Sequence, residues 1–217
     1  MAFSDFKTLT EVQKRFEIRD SASDFVSGDN LLNPSEQFLQ GLAFARQHLN
    51  VFRSEAARCE AIIYPILLEN YKAYAERYML WIREPLVYDG ILSGTPDYFV
   101  ATRSELGKNV VGTPVVMVVE AKKNDFEIGW GQCLAAMIAA QKINAQEINA
   151  QNIKEHAMFP VYGIVTDGVL WQFGKLAGDT FTENLTPFSL GDLPRLFGAI
   201  DAVFKAAQNG YTATTEQ

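Results

Sequence analysis

Residues 114–122 read Pro114-Val115-Val116-Met117-Val118-Val119-Glu120-Ala121-Lys122. Four valines around a methionine, followed at once by an acid and a base, describe a buried strand that ends in charge. Side chains alternate across a strand, so Glu120 and Lys122 share one face while Val115, Met117 and Val119 fill the other.

Working outward, residues 91–101 (ILSGTPDYFVA) and 80–88 (LWIREPLVY) carry the same β-branched and aromatic bias, with Asp89-Gly90 as the turn between them. With 114–121 they predict a three-strand meander. Pro96 inside the second run marks an edge or a bulge, and bulges re-aim side chains beside active sites. Downstream, residues 127–144 (EIGWGQCLAAMIAAQKIN) are apolar almost all round and predict a buried helix. Residues 160–166 and 169–174 flank Asp167-Gly168, a hairpin signal, and a last helix is expected over about 191–207. Upstream, Ser54 caps a helix carrying Cys59, Ile62, Ile63, Ile66 and Leu67, which Pro65 should kink or restart. Thr8–Phe16 is a short amphipathic stretch, 21–33 reads as a loop, and Pro34-Ser35 opens a helix to about Leu49. The order is helices, then β-β-β-α-β-β-α. The expected fold is α/β (α+β), a central mixed sheet of about five strands flanked by helices. Residues 1–50 read as an N-terminal helical extension, 51–210 as the main domain and 211–217 as a frayed tail.

In the expected meander, the hairpin between the second and third strands brings Asp97 across from Glu120. Two neighbouring carboxylates repel, and a divalent cation that favours oxygen, Mg²⁺ or Mn²⁺, is their natural neutraliser. The backbone carbonyl of Ala121 would be a further hard ligand. Lys122 beside such an ion could orient or deprotonate water and stabilise charge on phosphoryl oxygens. On the preceding helix, at about 100° per residue, Glu55 lies within about 40° of Cys59, Ile62 and Ile66, whereas Glu60 lies about 140° from Glu55. Glu55 is therefore the candidate for a third acid. Gln132 is a polar residue on a helix face otherwise made of Ala136, Ala139 and Ile143, and it needs a partner there.

The whole chain excludes several classes. Its 217 residues are 48% hydrophobic and 21% charged, enough for a full core. The longest apolar runs, such as Cys133–Ala140, fall far short of the roughly 18 residues of a membrane span. The first residues lack the apolar core of a signal peptide, so a cytoplasmic protein without a membrane partner is expected. Cys59 and Cys133 sit in apolar helical patterns and read as buried free thiols. Two histidines, His48 and His156, are too few for a Cys/His zinc site. There is no G-x-S-x-G elbow and no phosphate loop, and Gly129-Trp130-Gly131 lacks the third glycine of a dinucleotide fingerprint. Nineteen basic against 26 acidic residues give a net charge of −7, which argues against strong free-standing affinity for nucleic acid. Arg53, Arg58, Lys108, Lys122, Lys123 and Lys142 are the bases that could build a local positive cleft.

Pro96-Asp97, Glu120-Ala121-Lys122 and the glutamine helix together resemble the PD-(D/E)XK nuclease superfamily. The similarity extends to Glu55-Ala56-Ala57-Arg58, Gly131-Gln132 and the stretch Tyr162-Gly163 to Trp171. These look like the N-terminal nuclease domain of type I restriction-enzyme restriction subunits and its stand-alone relatives. The match covers about residues 54–200. The resemblance implies a restriction-endonuclease-like fold and an Mg²⁺-dependent endonuclease hydrolysing DNA phosphodiester bonds with a metal-activated water. In it Asp97 and Glu120 bind the metal, Lys122 is catalytic, Glu55 assists a metal and Gln132 supports the site. The competing reading is an inactive nuclease-fold module for protein interaction or regulation, which the acidic charge favours. A third, hydrolysis of a small nucleotide phosphate ester, suits the charge but lacks a phosphate-cradling loop. The partners these readings admit are DNA, a protein and a second copy of the chain.

Overall fold

The structure is a computed structural model that describes residues 2–150 and 159–215; His156 and residues 216–217 lie outside them. The chain begins with a 3₁₀ turn at Phe3–Asp5, α1 (Leu9–Phe16), β1 (Arg19–Ala22) and α2 (Glu36–His48). A continuous helical run follows: α3 (Glu55–Arg58), a π turn (Cys59–Ile63) and α4 (Tyr64–Tyr71). Then come β2 (Tyr78–Ile82), β3 (Leu86–Val87), β4 (Ser93–Gly94), β5 (Tyr98–Arg103), β6 (Val111–Ala121) and α5 (Phe126–Ala150). The chain ends with β7 (Val161–Thr166), β8 (Leu170–Ala177), β9 (Thr180–Glu183), β10 (Phe188–Ser189) and α6 (Leu193–Thr215).

The protein is mixed α/β. Among the described residues, eight strands form one sheet in the order β1-β9-β8-β7-β6-β5-β2, with β10 against β8. That is three more than the five expected. β2, β5 and β6 form the antiparallel meander, and β6 crosses over through α5 to pair in parallel with β7. The additional strands β1, β9 and β10 are two to four residues long and lie toward one side of the sheet. β1 falls partly in the stretch read as loop. Its residues, Arg-Asp-Ser-Ala, have no apolar alternation, and parallel pairing with β9 defines it.

Two expected strands are interrupted, each at a proline. The run 80–88 leaves the sheet at Ile82, where Arg83 takes a left-handed backbone (φ 49°) ahead of Pro85. Leu86–Val87 then pairs with Ser93–Gly94 in a separate two-stranded sheet. The run 91–101 breaks at Thr95–Asp97, because Pro96 has no N–H to give the ladder. Bulges do occur, but farther along the β5–β6 pair, where β6 carries the extra residues opposite Val100/Ala101 and Ala101/Arg103. The slip shifts parity on β6. Met117, Val119 and Ala121 face one apolar layer, but Val115 is turned to the other with Val118, contrary to simple alternation. The backbone of Val115 is held by Asn144 of α5, whose Oδ1 accepts its N–H (2.7 Å) and whose Nδ2 donates to its carbonyl (2.8 Å). Pro65 falls at the start of α4 directly after the π turn, in which the Tyr64 N–H reaches back to the Cys59 carbonyl. The helix restarts without breaking.

Apolar layers lie on both faces. One contains Cys59, Ile62, Ile63, Ile66 and Leu67 with Phe38 and Leu42 of α2 and Leu196–Phe204 of α6. The other contains α5 from Trp130 to Ala140 together with Phe3, Phe6 and Val12. Residues 1–50, expected as an extension, therefore contribute to both layers and supply a strand of the sheet. α6 runs through Thr215 and takes in five of the seven residues expected to fray. Cys59 and Cys133 are buried free thiols.

Candidate functional site

β6 ends at the C-terminal edge of the sheet. Its line is prolonged by one residue, because the Lys122 N–H donates to the Thr166 carbonyl of β7 at 2.9 Å. That bond fixes the backbone of 120–122. Tyr98 pairs with Val119, and continuing the same antiparallel register puts Asp97 opposite Glu120. Glu120 and Val118 point to the α5 side.

Asp97 Oδ2 accepts the Ala121 N–H at 2.9 Å, doing with a side chain what the strand broken at Pro96 no longer does with its backbone. Its Oδ1 faces Arg83 Nε at 3.9 Å, and the Arg83 N–H donates to the Asp97 carbonyl at 3.0 Å. Lys122 Nζ stands 3.6 Å from Glu120 Oε2 and donates to the Ala121 carbonyl at 3.0 Å. That carbonyl, expected as a metal ligand, is engaged by the ammonium and keeps one further lone pair.

Asp97, Glu120, Lys122 and Gln132 line one cavity of about 380 Å³. Ala2, Phe3 and Ser4 of the first turn form its other wall, with Gly94 and Thr95 of the segment before Asp97. Sequence reasoning missed this wall. The signals were faint: Met1-Ala2-Phe3 is too short an apolar run to specify an element, and Gly94 is a glycine because a Cβ there would meet the Phe3 ring at 2.5 Å. Gly129 has the same role under Lys122, where a Cβ would strike Val165 and crowd the lysine stem. Glu55 is half-buried in the first turn of α3, behind a Ser54 cap, and is not among the cavity-lining residues. Its charge still reaches Glu120.

Glu120 is only 4% exposed. Its pKa is pushed up to about 8, first by burial, then by the Asp97 charge, with a smaller push from Glu55; Lys122 pulls the other way. A carboxyl raised by a neighbouring carboxylate is the donor chemistry that a hard divalent cation relieves. Mg²⁺ is commonly held by one or two carboxylates while keeping several waters, so Asp97 and Glu120 fit it as a pair. Among the described residues no group of three or more His, Cys, Asp and Glu side chains is gathered as a metal cluster.

Of the bases nominated from sequence, Lys122 lines the cavity, while Arg58 and Lys142 are engaged elsewhere. Arg58 is buried, donates to the Asp167 carbonyl at 2.6 Å, lies 3.6 Å from its carboxylate and rests over the Phe52 ring. It ties α3 to the β7–β8 turn and is unavailable to a ligand. Lys142 sits over the ring of Tyr88. Arg53, Lys108 and Lys123 are exposed.

No helix among the described residues is long and apolar enough to cross a membrane. No protein-family model matches the chain, and no curated protein matches it.

Proposed function

We propose that the protein is a divalent-metal-dependent endonuclease that hydrolyses DNA phosphodiester bonds, on a restriction-endonuclease-like frame of the PD-(D/E)XK kind. The observation that carries this reading is one cavity lined by two carboxylates, a lysine ammonium and a glutamine, at the end of paired strands. An Mg²⁺ or Mn²⁺ ion bound there would supply Lewis acidity toward a phosphoryl oxygen and an acidified water.

The chain's own residues divide the remaining work. Asp97 and Glu120 hold the cation, and the Ala121 N–H fixes the orientation of Asp97. Lys122, steadied by the Ala121 carbonyl and set beside Glu120, places positive charge where the scissile phosphate accumulates negative charge. Gln132 offers an amide donor and acceptor from α5 to position water or substrate. Glu55 acts at longer range by adding negative charge that favours the cation.

The test is Mn²⁺ titration calorimetry on the wild type and Asp97→Ala, followed by incubation of each with supercoiled plasmid. The reading expects metal binding and nicking by the wild type, with both lost in the variant. A wild type that binds no Mn²⁺ and leaves single-stranded DNA, duplex DNA and RNA intact overturns it. One observation supports the competing reading, a module for protein interaction. An apolar groove of about 470 Å³ lies between α2 and α4, bordered by Leu42, Ala45, Leu49, Pro65 and Leu68.

A further inference from the structure

We propose that Arg83 is the residue that grips the substrate phosphate beside the cavity, a role that rests on the phosphodiesterase reading. Arg83 follows the last residue of edge strand β2 and takes a left-handed backbone at φ 49°. A long side chain is rarely found there, and the conformation costs about 1 kcal/mol or more. The turn aims the chain back across Asp97, whose carbonyl accepts the Arg83 N–H at 3.0 Å. Strain of this kind is kept where the surroundings enforce it, and it clusters at ligand sites.

The guanidinium is placed for an anion outside the protein. Its Nε lies 3.9 Å from Asp97 Oδ1, too far for a hydrogen bond; one side of the guanidinium meets the Cys59 thiol near Tyr98, and 51% of the side chain stays exposed for a further partner. An ion pair this open contributes little to stability and does not explain the strained backbone. The charge balance asks for a further cation. Within the cavity Asp97 and Glu120 have one ammonium beside them, Lys122. One divalent ion offsets the two lining carboxylates and leaves Lys122 for the scissile phosphate. A neighbouring phosphate then lacks a partner. Arginine suits that place, because its planar fork takes two phosphate oxygens at once. Arg58 and Lys142, two of the cations nominated from sequence, are worse placed, since Arg58 is buried against Asp167 and Lys142 covers Tyr88.

The conformation supplies a clean test. Glycine accepts φ 49° without strain, so Arg83→Gly removes the guanidinium while keeping or raising the melting temperature. Binding of a short fluorescein-labelled DNA duplex, and of its single strand, is read by anisotropy with Ca²⁺ as a non-cleaving ion. Mn²⁺ binding is read by calorimetry. Arg83→Gly is expected to weaken DNA binding at least about tenfold, as for a lost charge-assisted hydrogen bond. The slope of log affinity against log salt should fall by about one. Mn²⁺ affinity should hold or tighten, because a competing charge beside Asp97 is gone. Arg83→Lys should recover part of the affinity.

Unchanged DNA affinity in Arg83→Gly, with wild type that binds and cuts, overturns the role of Arg83 alone. A parallel loss of Mn²⁺ affinity also overturns it, showing that Arg83 merely holds Asp97. A wild type that binds neither DNA nor Mn²⁺ takes down this proposal together with the nuclease reading.

Discussion

The Asp97 carboxylate and the Ala121 amide close the gap that Pro96 opens between β5 and β6, Oδ2 accepting the N–H at 2.9 Å. Asp97 therefore has two separable roles, a hydrogen bond that finishes the sheet and a charge that faces the cavity. Asp97→Asn presents a carbonyl oxygen in the same place and should retain the fold while losing Mn²⁺ affinity. Asp97→Ala leaves a strand amide without its acceptor and should cost about 1–2 kcal/mol in addition. Urea denaturation beside calorimetry separates the two. Equal destabilisation by both substitutions would show that charge, not the hydrogen bond, joins the strands.

Glu120 makes stability depend on pH. Its pKa rises from 4.5 to about 8 on folding, chiefly through burial. Between those values the unfolded chain has released the proton and the native chain still holds it, so native stability falls as pH rises and levels off above the upper value. Glu120→Gln removes this slope. The variant should match the wild type below the window and exceed it above, by on the order of a few kcal/mol. Thermal melts across the pH range without divalent metal provide the check. Parallel curves for the two proteins would mean that Glu120 is ionised in the fold.

Asn144 should rank among the most sensitive positions outside the cavity. Both its amide atoms serve the backbone of Val115 where the β6 pairing slips, and the side chain is buried. Asn144→Leu keeps the bulk and strands a buried N–H and C=O, so a loss of about 2–4 kcal/mol is expected. Asn144→Asp restores only the acceptor and should recover part of it. A urea midpoint unmoved by either substitution would exclude the clamp.

Phe6 tests whether the first residues belong to the core. It is buried with Val12 and Phe3 in the α5 layer. Phe6→Ala should destabilise the whole protein by about 3 kcal/mol or more in a single cooperative transition. A separate early transition, with the main melt unchanged, would restore the picture of a detached extension.

Much of the architecture could be read from periodicity. The valine run of β6, the apolar α5 and the Asp167-Gly168 turn each carry a local pattern strong enough to specify an element. The nearness of Asp97 to Glu120 follows from hairpin register alone. Other features are fixed by partners rather than by composition. β1 is a strand because β9 offers it a backbone, and Arg-Asp-Ser-Ala states nothing of that. Val115 changes face because β6 carries an extra residue, Val116, opposite β5, and nothing in the valine run signals it. Arg83 adopts a conformation that sequence rules reserve for glycine and asparagine. Phe3 and Phe6 have the i, i+3 spacing of one helix face, but two residues are too few to establish a period, and the cavity wall and the α5 layer explain them.

The pairing of β1 with β9 joins segments about 160 residues apart. During synthesis β1 leaves the ribosome with no complementary edge, and its partner emerges only about 160 residues later. Completion of this side of the sheet must then wait for β9, a slow, long-range closure that leaves the edges of β1 and β8 exposed in the interval. Nascent chains stalled before residue 180 should therefore be the species that chaperones retain.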